Sequence, residues 1–128
     1  MNNPLADVPD PGHNDVLKSI DFHAKALEFI RAQTRAIRRQ IGEVLRDLQK
    51  GANLGMPISR PMPAIAPGVH ELRIRGDGST VRIFYFLRKA GAIIVFHAFK
   101  KKSQKTPSHE VDLARKRLQE VLNEAGKA

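Results

Sequence analysis

Val69-His-Glu-Leu-Arg-Ile-Arg75, Val81-Arg-Ile-Phe-Tyr-Phe-Leu-Arg88 and Ala92-Ile-Ile-Val-Phe-His-Ala-Phe99 follow one another closely, with Gly76-Asp-Gly78 and Lys89-Ala-Gly91 at the joins. Short runs rich in β-branched and aromatic residues, punctuated by glycine, predict three strands in an antiparallel meander. In the first, Leu72 and Ile74 share one face, and Glu71, Arg73 and Arg75 share the other. The second is apolar on both faces, with Val81, Ile83, Tyr85 and Leu87 against Phe84 and Phe86, which marks a central strand. In the third, simple alternation places His97 on one face with Ile93, Val95 and Phe99.

Upstream of the meander the period changes. Leu27, Ile30, Ile37, Ile41, Val44, Leu45 and Leu48 recur at three- and four-residue steps, which predicts helix over 24–49. Arg31, Arg35, Arg38 and Arg39 lie mainly off that apolar stripe. A break near Gln33-Thr34, with Thr34 as N-cap, divides the segment into two helices, and Gly51 ends it as a C-terminal cap. Val16–Phe22 reads as a preceding strand, and residues 1–14, with three prolines and a glycine, as a flexible tail. Residues 51–68 hold so many glycines and prolines that an irregular connection is expected. After the meander a last helix runs from Pro107 to Glu124, with Val111, Leu113, Ala114, Leu118, Val121 and Leu122 as its buried side. The expected fold is α+β, in the order β-α-α-β-β-β-α, as one domain over 15–128.

The chain has 128 residues, a formal net charge of +9 and a pI near 10.4, which favours a polyanionic partner over a neutral metabolite. Absence of cysteine excludes disulfides, thiolate metal sites and cysteine nucleophiles, and fits a cytoplasmic chain. No run approaches the roughly 18 apolar residues of a membrane span, and no apolar signal core opens the chain. No His-x-x-x-His pair or nucleotide loop is present, so neither a metal nor a cofactor is expected.

Lys100, Lys101, Lys102 and Lys105 crowd the end of the third meander strand, and phosphate is the common biological neutraliser of such clusters. Ser103 and Gln104 add hydrogen-bonding groups. Thr106 is the expected N-cap of the last helix, with Pro107 first inside it, which brings the positive helix end to the same place. Arg82 suits phosphate stabilisation through its planar guanidinium, or else pairs with Glu71 across the sheet. His97 has the pKa range for proton transfer, or sits satisfied in the core. His70 reads as core-facing, His109 as helix surface, and Tyr85, the sole tyrosine, as core with its hydroxyl bonded at the edge.

Gly68-Val-His-Glu-Leu-Arg73, Val81-Arg-Ile-Phe-Tyr85 and His97-Ala-Phe-Lys-Lys-Lys-Ser-Gln-Lys-Thr-Pro107 resemble, in order and spacing, the RelE/ParE toxin superfamily, most closely its phage-derived HigB-like branch. The resemblance covers roughly Leu17 to Leu122, and the Lys-Lys-x-x-Lys-Thr-Pro element is its specific part. It implies the toxin of a type II toxin–antitoxin pair, a metal-independent endoribonuclease that cleaves mRNA on the ribosome through the RNA's own 2′-hydroxyl. The implied partners are a helix-turn-helix, HigA-like antitoxin, mRNA with the ribosome, and operator DNA through the antitoxin. The catalytic set expected on the matching positions is Arg73, Arg82, His97, Lys102 and Lys105. RNA contacts are expected from Arg75, Lys100, Lys101, Ser103, Gln104 and Thr106. Glu71 stands where better-known members often carry a further basic residue. Two other readings stay open: a non-catalytic nucleic-acid-binding module, and a gyrase-directed poison of the ParE type.

Overall fold

A computed structural model describes residues 17–76, 78–88, 91–101 and 105–127. The expected tail and Val16 lie outside the described residues. Within them the elements are β1 (Ile20–Phe22), α1 (Ala24–Arg31), α2 (Arg35–Gln49), β2 (Ser59–Pro61), β3 (Val69–Gly76), β4 (Ser79–Leu87), β5 (Ile93–Lys101) and α3 (Ser108–Lys127). The five strands form one sheet in the order β1-β5-β4-β3-β2. β1 runs parallel to β5, and the other three pairings are antiparallel.

The helical elbow forms where the sequence demands it. Thr34 takes extended backbone, and its hydroxyl accepts from the Ile37 N–H at 3.3 Å, a cap worth about 1 kcal/mol. At the other end of α2, Gly51 has φ +91°, and its N–H reaches the Leu48 carbonyl while that of Ala52 reaches Asp47. This is a Schellman closure, and the left-handed residue it needs is the glycine.

The sheet is covered on both faces. Ala26 and Ile30 of α1 and Ile41, Leu45 and Leu48 of α2 pack on Leu72, Ile74, Val81, Ile83, Tyr85, Ile93 and Val95. Ala114 and Leu118 of α3, with Met62 and Ile65 of the β2–β3 connection, pack on Val69, Phe84, Ile94, Phe96 and Phe99. β4 is buried on both sides through Val81–Tyr85, as expected of the central strand. No helix among the described residues is long and apolar enough to cross a membrane.

Three features depart from the sequence reading. The connection over 51–68 contributes a strand, β2, which pairs Ser59, Arg60 and Pro61 with Leu72, Glu71 and His70 of β3. Three residues are too few for alternation to register, and Pro61 is tolerated because the strand lies at the sheet edge. The second departure is a β-bulge. Tyr85 of β4 faces Val95 of β5, but its neighbour Phe84 faces His97, so Phe96 is the extra residue. Phe96 and His97 therefore point to the same side, and alternation resumes one residue out of phase. His97 and Phe99 lie on the α3 face with Phe84, not with Ile93 and Val95. Third, α3 begins at Ser108, and its first accepting carbonyl is that of Pro107 rather than of the expected cap Thr106.

Candidate active site

On the α3 face, residues in register across the strands form rows. One row reads Arg60, Glu71, Phe84, His97; the next Arg73, Arg82, Phe99; the third Arg75, Thr80, Lys101. Arg73 and Arg82 are direct cross-strand partners, an arrangement that repels unless an anion lies between them. Glu71 supplies part of that charge. Its Oε1 accepts from Arg82 Nη1 at 2.7 Å and Arg60 Nε at 2.9 Å, and Arg73 Nε stands 3.5 Å away. Its Oε2 accepts from the Thr106 hydroxyl at 3.5 Å, which itself accepts from Lys101 Nζ at 3.4 Å. Thr106 has turned from helix capping to this network.

Four cations thus gather around one fully buried carboxylate. Nε of both Arg73 and Arg82 is buried without a hydrogen-bond partner. Such donors are rare in folded proteins unless a ligand completes them. A tetrahedral oxyanion with several acceptors matches their number and charge. Burial lowers the pKa of Arg82, and Glu71 opposes that shift. Lys101 is 5% exposed, and burial, followed by the field of Arg82, pulls its ammonium down to about 8. An amine in that range exchanges protons near neutral pH. A groove of about 390 Å³ opens beside these groups, walled by Pro57, Ile58, Arg73, Arg75, Thr80 and Arg82.

The other expected site residues divide. Arg75 is exposed in the third row. Lys100, its side chain on the opposite face of β5 from Lys101, lines a separate groove under α2. Lys105 is exposed beyond the strand. Lys102, Ser103 and Gln104 lie outside the described residues. His97 is brought into a different cluster. Arg117 Nη1 donates to its Nδ1 at 2.8 Å, so its Nε2–H donates to Glu110 Oε1 at 2.7 Å. Only 1% of it is exposed, and burial holds its pKa below the usual histidine value. Arg117 reinforces that depression while Glu110 resists it. The arrangement ties a neutral imidazole to α3 by both nitrogens.

His70 stacks on Tyr85 on the α2 face, and the Tyr85 hydroxyl bonds Ser59 Oγ at 2.9 Å, the edge contact expected of it. Burial raises the Tyr85 pKa. His109 is exposed, 3.5 Å from Glu110. No group of three or more possible metal ligands occurs among the described residues. Three members of the clusters escaped sequence reasoning, Arg60, Glu110 and Arg117. Arg60 sits in a strand too short to see. Arg117 could have been found as the helix position nearest the flipped His97, had the bulge been known.

A family model described as phage derived protein Gp49-like matches residues 28–119. The chain belongs to the Gp49-like family. The matched span runs from α1 into α3 and takes in all four clustered cations and Glu71. Among curated proteins, none matches the chain. Among solved structures, a mutant of the E. coli toxin RelE in the free state aligns over 79% of this chain and 97% of its own, with 20% identity and a TM-score of 0.53. That likeness establishes a RelE-like fold. The family match bears out the phage-derived side of the resemblance, and the structural likeness bears out its RelE-like fold.

Proposed function

We propose that this Gp49-like chain is the toxin of a type II toxin–antitoxin pair and acts as a ribosome-dependent mRNA endoribonuclease in the cytoplasm. One observation carries the reading: Arg60, Arg73, Arg82 and Lys101 converge on a single buried carboxylate and leave two buried guanidinium N–H groups unanswered. The likeness to RelE, which is described as a toxin, supports it.

In the reaction the RNA's 2′-oxygen attacks the adjacent phosphorus, the P–O5′ bond breaks, and a 2′,3′-cyclic phosphate and a 5′-hydroxyl result. Lys101, neutral in a sizeable fraction near pH 8, takes the 2′-proton. Arg73 and Arg82 bind the non-bridging oxygens, where charge accumulates in the phosphorane, and Arg60 joins them from the edge strand. One of the lysines following Lys101 in the sequence, Lys102 or Lys105, protonates the departing 5′-oxygen. Glu71 orients the guanidinium groups and keeps their mutual repulsion tolerable before substrate arrives. His97 is assigned to holding α3 on the sheet. Arg75, Lys100, Ser103, Gln104 and Thr106 contact RNA around the cut. A HigA-like helix-turn-helix antitoxin, able to bind operator DNA, is the proposed neutralising partner.

The test is a reconstituted translation reaction in which mRNA 5′-ends are mapped by primer extension. New ends with the native chain, lost in Arg82→Ala and Lys101→Met proteins shown to be folded, are expected. A folded native chain that makes no cuts overturns the proposal. Gyrase inhibition, or RNA binding that only weakens with salt, would then define the activity.

A further inference from the structure

Thr106 stands where a helix cap is expected, yet its hydroxyl serves the cation cluster. Pro107 follows, and its carbonyl opens α3 by accepting the Glu110 N–H at 3.0 Å and the Val111 N–H at 3.3 Å. Proline disfavours helical backbone in the residue before it, which keeps Thr106 outside the helix. The β-branched side chain has few rotamers, so the hydroxyl is carried on a stiff arm. Glu110, in the first turn of α3, is bonded to buried His97 at 2.7 Å and seats that end of the helix against β5. The segment bearing Thr106 is thus tied to the sheet from its helix side.

The Thr106 hydroxyl has one proton to give, and Glu71 Oε2, 3.5 Å away, is a carboxylate oxygen that can only accept it. Toward Lys101 Nζ, 3.4 Å away, the same oxygen can then only accept. That polarity matters once the lysine is neutral. An amine offers two N–H groups and one lone pair, and a hydroxyl able to turn would donate to the lone pair. It would then occupy the site at which a base takes its proton. With its own proton committed to Glu71, Thr106 grips Lys101 by an N–H and does not compete for the lone pair. We propose that Thr106 is a positioning residue for Lys101, holding the amine through an N–H so that its lone pair stays available to the 2′-hydroxyl. The proposal rests on the RNA-cleaving reading of the site, in which the 2′-proton passes to Lys101 Nζ.

Two experiments separate this inference from the reading beneath it. In the first, the Lys101 side chain is titrated by NMR in native, Thr106→Val and Thr106→Ser protein, with Lys101→Met protein identifying its signals. The native lysine should titrate at about 8. The threonine oxygen favours the ammonium form, so valine should lower that value and serine, which keeps the hydroxyl, should restore it. An unchanged Lys101 titration in folded Thr106→Val protein overturns the inference, whether or not RNA is cut. If the valine protein does not fold, Thr106→Cys, with a thiol that bonds weakly, carries the same test. In the second, single-turnover mRNA cleavage is followed against pH in the same proteins. The valine variant should cut on the order of 10- to 100-fold more slowly on its high-pH plateau, because the base is no longer held in place. Its inflection should move down with the NMR value, and serine should recover most of the rate. Equal plateau rates in native and valine proteins overturn the positioning role. A native chain that makes no cuts sinks the nuclease reading, while the NMR titration still decides whether Thr106 holds Lys101.

Discussion

Replacing Glu71 with glutamine should move stability and RNA affinity in opposite directions. The carboxylate is fully buried, and Arg82, which it holds at 2.7 Å, is itself only 5% exposed. Glutamine keeps the shape and one acceptor but leaves Arg60, Arg73, Arg82 and Lys101 without their common counter-charge. Removing one partner of a buried ion pair costs about 3–5 kcal/mol, a large share of the 5–15 kcal/mol typical of a domain. At this size that is a fall in Tm on the order of 10–20 °C. The same change removes an anion that competes with phosphate for the guanidinium groups. Short RNA should therefore bind more tightly to the variant, and added sulfate or phosphate should raise its Tm more than that of the native chain. Calorimetry across a sulfate series, with fluorescence anisotropy on a labelled oligoribonucleotide, reads both quantities. Loss of stability with unchanged or weaker RNA binding would refute the idea that Glu71 stands in for a phosphate. No loss of stability would refute the electrostatic account of the cluster itself.

With Lys101 as the proposed base, cleavage should rise about tenfold per pH unit below 8 and level off above it, because burial pulls its ammonium down to about 8; single-turnover rates in native and Lys101→Arg protein test this, and the same inflection in both would exclude Lys101 as the base. His97 has a lowered pKa, so the unfolded chain takes up its proton first as pH falls, and the stability this site contributes is lost between about 6.5 and the lower folded value. Arg117→Met should raise the His97 pKa, since Arg117 is one of the groups depressing it, and an imidazole NMR titration would show the shift. Tyr85→Phe should lower stability by roughly 1 kcal/mol through the lost Ser59 bond, yet leave cleavage unchanged, because Tyr85 lies on the sheet face away from the cation cluster. A rate loss without a stability loss would place Tyr85 in the site instead.

The sequence carried the fold well wherever one period ran for several turns or strands. Ile41, Leu45 and Leu48 announced α2, Thr34 and Gly51 announced its ends, and Val81 to Tyr85 announced the central strand. Arg73, Arg82, Lys101 and Thr106 were legible as phosphate-seeking groups, and they do come together. What escaped was set by geometry that composition does not encode. Glu71 looked like a departure from a basic site, whereas it is the point on which the basic groups converge. Arg60 joins through a three-residue edge strand whose pairing depends on β3 rather than on its own pattern. Strict alternation puts His97 on the wrong face because β5 carries one extra residue just before it.

That extra residue has a further consequence. Consecutive lysines at 100 and 101 are chemically interchangeable, and only their parity along β5 decides which enters the cation cluster. The bulge at Phe96 acts as a phase shifter: it selects Lys101 for the interior network and sends Lys100 to the groove under α2. Strict alternation through Phe96 would exchange the two lysines' faces and turn His97 and Phe99 away from α3, whereas deleting Phe96 would remove the bulge and keep Lys101 opposite Thr80. Which of the two lysines joins the cation cluster is therefore decided by a backbone irregularity four residues and more upstream of them, not by the lysines themselves.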